Sequence, residues 1–176
     1  SAMAVPYTAR PALVCAWGIC MTCYAELCVT SNFTFLTGAS HPEEYMLKAM
    51  QLNLAAIAIT DVNSLAGVVR AWSARKNLRA EFPDASLPKL LVGSRLLMQD
   101  CSVQWIALPT HKSAWQQLSQ LISLGKRRSP KGECQLYQAD LVQAARGMIL
   151  IAIPPDDGDN SLTIISDMQR HFPGFV

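Results

Sequence analysis

Residues 55–60 read AAIAIT, an uninterrupted uncharged run in which five of the six side chains are apolar. A run this short is a strand, and one apolar on both faces is a strand covered on both faces, the usual state in a parallel sheet packed between helices. Working outward, Leu65, Val68, Val69 and Trp72 follow i, i+3, i+4, i+7 and predict an amphipathic helix directly after it. Upstream, AELCV at 25–29 is strand-like. Ser40 followed by Glu43 gives a capping box with Pro42 in the first turn, and the helix it opens faces inward through Met46, Ala49 and Met50.

The same alternation continues downstream. The polar segment from Asn77 to Pro88 contains two prolines and is expected to be a loop. It leads to strand KLLVGSRLLM (89–98) and strand VQWIAL (103–108). Helix SAWQQLSQLISL (113–124) carries Trp115, Leu118 and Ile122 on one face, and helix ADLVQAARG (139–147) ends at a capping glycine, Gly147. Strand MILIAI (148–153), a polar loop and a last helix from about Ser161 complete the pattern. Five strands interleaved with helices predict a mainly parallel α/β sheet or barrel.

A chain of 176 residues, 51% hydrophobic and 16% charged, is long enough for one domain with a substantial core. Its net charge of +2 commits it neither to nucleic acid nor to a membrane surface. Of the six cysteines, Cys15, Cys20, Cys23 and Cys28 are spaced C-x4-C-x2-C-x4-C, and Cys101 and Cys134 stand apart. Only the middle pair has zinc-finger spacing and no second CxxC follows, so buried reduced thiols in a cytoplasmic protein are expected rather than structural zinc. Residues 1–23 begin with Ser-Ala-Met, like a cloning remnant. They contain PALVCAWGICM, too short to span a bilayer and without a cleavage-like site after it. They are expected to be a poorly structured extension or tag remnant, with the folded domain from 24 to 176. No internal repeat is visible, and SLGKRRSPKG lacks the spacing of a phosphate-binding glycine-rich loop.

In parallel α/β folds the working residues sit at the carboxyl ends of strands. Those ends hold Cys28, Thr30, Ser31 and Asn32, then Thr60, Asp61, Val62 and Asn63, then Gly93, Ser94 and Arg95. One carboxylate and one thiol make a poor metal site. Lys126, Arg127, Arg128 and Lys131 are the one basic cluster. With Ser129, Pro130 and Gly132 among them they form a candidate mobile cationic loop suited to phosphate contact, although a charge run is more often a solvated face. His41, His111 and His171 lie beside helices in polar surroundings and are read as surface residues. Trp72, Trp105 and Trp115 are read as core residues.

Four stretches, YAELCVTSNFTFLTGASHPEE, AAIAITDVNSLAGVVRA, LLVGSRLLM and LISLGKRRSPKGECQL, together resemble the N-terminal PHP (polymerase and histidinol phosphatase) domain of bacterial C-family DNA polymerases, most closely the error-prone branch. The likeness runs from Tyr24 to about Pro155. It implies a PHP-like distorted (β/α) barrel, of which this chain is an N-terminal and incomplete portion. Metal-binding members of that family carry His-x-His on the first strand, Asp-His after the second and Gly-x-Glu on the third, a ligand set for divalent metals. Here those positions are Cys28 and Thr30, Asp61 and Val62, and Arg95. The resemblance therefore implies a vestigial metal site with no metal. Valine offers no lone pair, threonine is a weak ligand, and Arg95 puts a permanent cation where a metal would sit. A pair of Arg95 with Asp61 at about 4 Å would gain up to ~4 kcal/mol at an effective dielectric near 20, before desolvation is subtracted.

The function implied is that of an N-terminal piece of a DNA-directed DNA polymerase (a nucleotidyltransferase) used in damage-induced translesion synthesis. The piece itself is structural, holds no cofactor and carries no catalytic residue. The palm domain and its Mg2+ belong to the longer polymerase, DNA and other polymerase components are the implied partners, and no membrane is involved. Two alternatives stand beside it. One is a residual metal-dependent phosphoesterase using Cys28, Asp61, Ser31 and Asn32, and the other is a DNA-binding module acting through the Lys126–Lys131 loop.

Overall fold

The computed structural model describes residues 24–155 and 161–171. The segment expected to be an extension, with Cys15, Cys20 and Cys23, lies outside the described residues. In chain order the elements are β1 (Ala25–Val29), α1 (Pro42–Gln51), β2 (Ala56–Ile59), α2 (Ala66–Glu81), β3 (Lys89–Val92), β4 (Ser94–Leu96), β5 (Gln104–Pro109), α3 (Lys112–Arg128), α4 (Gln138–Ala144), β6 (Met148–Ile153) and α5 (Ser161–His171). None of the described helices is long and apolar enough to cross a membrane.

The strands form two three-stranded groups. β1, β2 and β3 pair in parallel. β4, β5 and β6 pair antiparallel, and since β4 meets the end of β2 through a parallel bridge, β5 is the one strand of the six that runs against the direction expected from the sequence. The cause is the link between β4 and β5, a short loop with no helix, which can only turn the chain back on itself. The stretch expected as one strand from 89 to 98 is divided at Gly93. A Cβ there would lie 2.6 Å from Leu108 Cδ2 and 2.9 Å from Thr60 Cγ2, so only glycine lets β3 run into β4 so close to β5. The two groups are joined where Val62, just past β2, bridges Arg95 in β4. Arg95 N donates to Asp61 O at 3.1 Å, and Asn63 N donates to Arg95 O at 2.9 Å. The result is a curved wall from β1 to β6, with no closed barrel among the described residues.

Three apolar layers hold this wall. Met46, Met50, Ile57, Ile59, Val68 and Leu78 bury α1 and α2 against the parallel strands. Leu96, Trp105, Leu118, Ile122, Leu136 and Leu141 bury α3 and α4 against the antiparallel strands. Between the two, Ala58, Ile106 and Leu108 meet Leu27, Leu91 and Ile151. The alternation of these two destinations along β2 is why its residues, AIAI at 56–59, are apolar on both faces.

Several local expectations shift. α1 is capped one residue later than expected, with His41 as N-cap and its backbone N–H donating to Glu44 Oε2 at 2.8 Å, because Pro42 occupies the first helical position. α2 continues to Glu81, taking the first five residues of the expected loop, because Leu78 is buried and Arg79 Nη1 donates to the carbonyls of Pro83 and Ala85. The buried stripe of α2 is Gly67, Val68, Ala71, Ala74 and Leu78, so Trp72 is 54% exposed. Trp115 is 46% exposed at the start of α3, while Trp105 is fully buried as expected. His111 caps α3 by accepting from Ala114 N at 3.2 Å, and Gly147 beyond α4 has φ +76.

Candidate functional site

Asp61 stands two residues past the end of β2 and is only 1% exposed. Its Oδ1 accepts from Ser31 N at 2.8 Å and from Thr34 Oγ1 at 3.0 Å, and Ser31 Oγ lies 2.9 Å from both carboxylate oxygens. Thr34 Oγ1 also accepts from Val62 N at 3.0 Å. A buried carboxylate is tolerated only with such partners, and hydrogen bonds to an ionised group contribute about 1.5–3 kcal/mol each. The first turn of α2 lies directly against it. A Cβ on Gly67 would sit 2.3 Å from Asp61 Oδ2 and 2.9 Å from Ser31 Oγ. The positive end of that helix favours the negative charge as well.

The expected ion pair between Asp61 and Arg95 is not among the ion pairs of the described residues. Hydroxyl and amide donors from the loop after β1 take its place, and Arg95 Nε is buried without a hydrogen-bond partner. Arg95 contributes through its backbone, as the residue that stitches β4 to the end of β2.

Cys28 and Thr30 lie elsewhere. The register of β1 against β2 advances three residues from Glu26 to Val29 while β2 advances two from Ile57 to Ile59, so β1 carries a bulge. Leu27 packs between the two strand groups and Val29 packs under the helices, leaving Cys28 exposed. Its N–H is turned onto Glu26 Oε1 at 3.1 Å. Cys28 and Thr30 share a groove with Tyr45 and Lys48 of α1, and Val62 lines a different cleft. Among the described residues, no three His, Cys, Asp or Glu side chains come together as a metal site. Cys101 and Cys134 are half-buried free thiols, both pushed up from the ordinary thiol range by burial.

The basic cluster divides three ways. Lys126, Arg127 and Arg128 form the last turn of α3, which ends at Ser129 as its Oγ donates back to Gly125 O at 2.7 Å. Arg128 is committed to Asp140 through two bonds of 2.6 and 2.9 Å and lies 5.7 Å from the Tyr137 ring centroid. Arg128 in turn holds the Asp140 carboxyl below its ordinary range. Arg127 lies on the outer face of α3 with Gln116, Ser119 and Ser123. Lys126 and Lys131 line a cleft of about 490 Å³ whose other lining includes Phe33, Val62, Asn63 and Ser64. Lys131 sits on a hydrogen-bonded turn, Glu133 N donating to Pro130 O at 3.1 Å, with Gly132 at φ +98 supplying the left-handed residue a type II turn requires. The sequence alone did not single out Thr34 or Phe33 as site residues. The only local sign of the first is that its hydroxyl recurs three residues after that of Ser31.

Comparison with known proteins agrees with this architecture. The model of the PHP domain matches residues 26–171. An error-prone DNA polymerase of Ruegeria pomeroyi is 48% identical over 182 residues, covering 87% of this chain and 16% of the relative. Those of Rhodopseudomonas palustris strain BisB5 and Brucella abortus are 45% and 39% identical, over 75% and 89% of this chain and 12% and 14% of their own lengths. The chain thus spans less than one fifth of each of these relatives. A Bifidobacterium adolescentis protein named as a metal-dependent phosphoesterase superposes with a TM-score of 0.57 at 14% identity, over 83% of this chain and 74% of that one. Fold and the extent of the family match agree, and the chain belongs to the PHP domain family.

Proposed function

We propose that this chain is the N-terminal PHP portion of an error-prone DNA polymerase acting in damage-induced translesion synthesis, and that this portion is a structural and interaction module rather than a hydrolase. The reading assigns nucleotidyl transfer and its Mg2+ to a palm domain outside this chain, with DNA and other polymerase components as partners in the cytoplasm. The observation that supports it is the state of Asp61. Its carboxylate is buried and its oxygens are occupied by Ser31 and Thr34, Val62 beside it has no lone pair, and Arg95 meets the end of β2 through its backbone, with a guanidinium that offers no lone pair to a metal. That donor set does not fit a divalent metal cluster, which needs several imidazole or carboxylate donors converging on one point. The same carboxylate does suit a scaffold, because it fastens the loop after β1 to the end of β2.

Metal analysis of the purified chain after incubation with zinc or manganese, followed by an assay of phosphoester hydrolysis, tests the module reading. Neither retained metal nor turnover is expected, and stoichiometric metal with turnover overturns it. The polymerase reading is tested separately by the size of the natural polypeptide, expected to be far longer than 176 residues.

A further inference from the structure

The cleft beside Asp61 takes no part in the hydrogen bonds that hold that carboxylate, and its lining is of a different kind. The α3 side supplies Lys126 and Lys131, neither of which has an ion-pair partner among the described residues. The β1 side supplies Phe33, which is 44% exposed. Glu133 is the one carboxylate in the lining, so the two lysines leave a net positive charge. The pairing of Arg128 with Asp140 removes the strongest cation of the cluster from this role, and the turn at Gly132 places Lys131 at its outer corner.

Two lysines and an exposed aromatic ring lining one cleft match a phosphate joined to a flat apolar base. The volume of about 490 Å³ falls within the range of roughly 300–1,000 Å³ usual for small-molecule sites. A base held against Phe33 must be out of a duplex stack, so the cleft suits a single strand. Asn63 Oδ1 is already used by Leu97 N at 3.1 Å, which takes one base-reading group out of play and favours binding without sequence preference. We propose that this cleft holds one nucleotide of single-stranded DNA, with its phosphate against Lys126 and Lys131 and its base on Phe33. The choice of DNA as the strand rests on the polymerase reading above, while the cleft and its lining do not.

Fluorescence anisotropy of the 176-residue chain with a short labelled oligodeoxythymidylate tests it. Binding is expected in the non-specific range of about 10⁻⁴ to 10⁻⁶ M, and a duplex of equal length should bind more weakly. Replacing both lysines, Lys126→Ala with Lys131→Ala, should flatten the slope of log K against log salt by roughly 1.4, two contacts at about 0.7 each, whereas Arg127→Ala should leave it unchanged. Phe33→Leu should weaken binding about tenfold with the slope preserved, and Phe33→Tyr should bind like the unaltered chain. On the unaltered chain, an abasic deoxyribose-phosphate oligomer should also bind about tenfold more weakly than oligodeoxythymidylate. Equal binding of the abasic and thymidylate strands, equal binding of duplex and single strand, or a slope as sensitive to Arg127 as to the lysine pair overturns the proposal. Such a failure leaves the polymerase reading standing, since polypeptide size tests that one.

Discussion

The two halves of this wall treat charge in opposite ways. In the parallel half, the one charged side chain at the strand ends is sealed: Asp61 is buried, and its donors come from a loop thirty residues earlier in the chain. In the antiparallel half, the cations at the end of α3 stay near the surface, and one of them, Arg128, is fixed by a carboxylate twelve residues later. The contrast follows from what each half has to hold in place. Parallel strands are joined through long crossovers, so the loop after β1 and the end of β2 need a fastener between them. The end of α3 is held by nearby turns and leaves Lys126 and Lys131 outside the ion pairs of the described residues.

If the sealed carboxylate is that fastener, removing it has the largest effect of any single change considered. Asp61→Ala leaves the amide and hydroxyl of Ser31 and the hydroxyl of Thr34 without their acceptor in a buried place. It is expected to cost about 3–5 kcal/mol, read as a lower urea midpoint at unchanged slope. A loss under about 1 kcal/mol would break the comparison. Gly67→Ala approaches the same spot from the helix side, and its new methyl meets Asp61 Oδ2 at 2.3 Å. The crowding is expected to cost about 1–3 kcal/mol, less than the loss of the carboxylate, because α2 can shift slightly to relieve it.

The antiparallel half offers a pH test. Asp140 is held below its ordinary range chiefly by its hydrogen bond to Arg128, so its ionised form is favoured in the folded state. A carboxyl depressed on folding contributes stability that is present above its unfolded value. That contribution fades as the pH falls through the folded value. The stability difference between the unaltered chain and Asp140→Asn should therefore be constant near neutrality and shrink on acidification below the usual aspartate range. It should also be smaller than the effect of Asp61→Ala, because the Arg128 side chain is 35% exposed and solvent screens the pair. A difference that grows on acidification would contradict the assignment.

How much of this was legible depends on where each determinant lies in the chain. The strands at 25–29, 104–109 and 148–153 and the start of α5 show in the sequence because apolar runs and their flanking breaks are local. The partner of Asp61 does not, since it depends on which of two donors, a guanidinium in β4 or a hydroxyl after β1, reaches the carboxylate first in space. The antiparallel half was equally hidden. Its direction turns on the short link after β4, while the strand patterns of parallel and antiparallel buried strands look alike. The bulge that turns Cys28 outward involves one extra residue and leaves the apolar pattern of β1 intact.

Trp72 shows the same limit with the smallest expected effect. The period read from Leu65, Val68, Val69 and Trp72 is correct for a helix, but its phase is not, because apolar residues continue around the helix and the largest of them attract the reading. The packed stripe follows the small residues instead. Gly67 must approach Asp61, which brings the helix axis close to the sheet, and the small Ala71 and Ala74 fill the middle of the inward face between Val68 and Leu78. Val69 and Trp72 are carried around to solvent, 67% and 54% exposed. Trp72→Gln is therefore expected to change stability by no more than about 0.5 kcal/mol, against the roughly 3–5 kcal/mol that a core tryptophan costs on truncation. Chemical denaturation of that variant distinguishes the two values easily. A core-sized loss would mean that α2 turns its larger face inward, and the close approach of Gly67 to the buried carboxylate would then have to be given up with it.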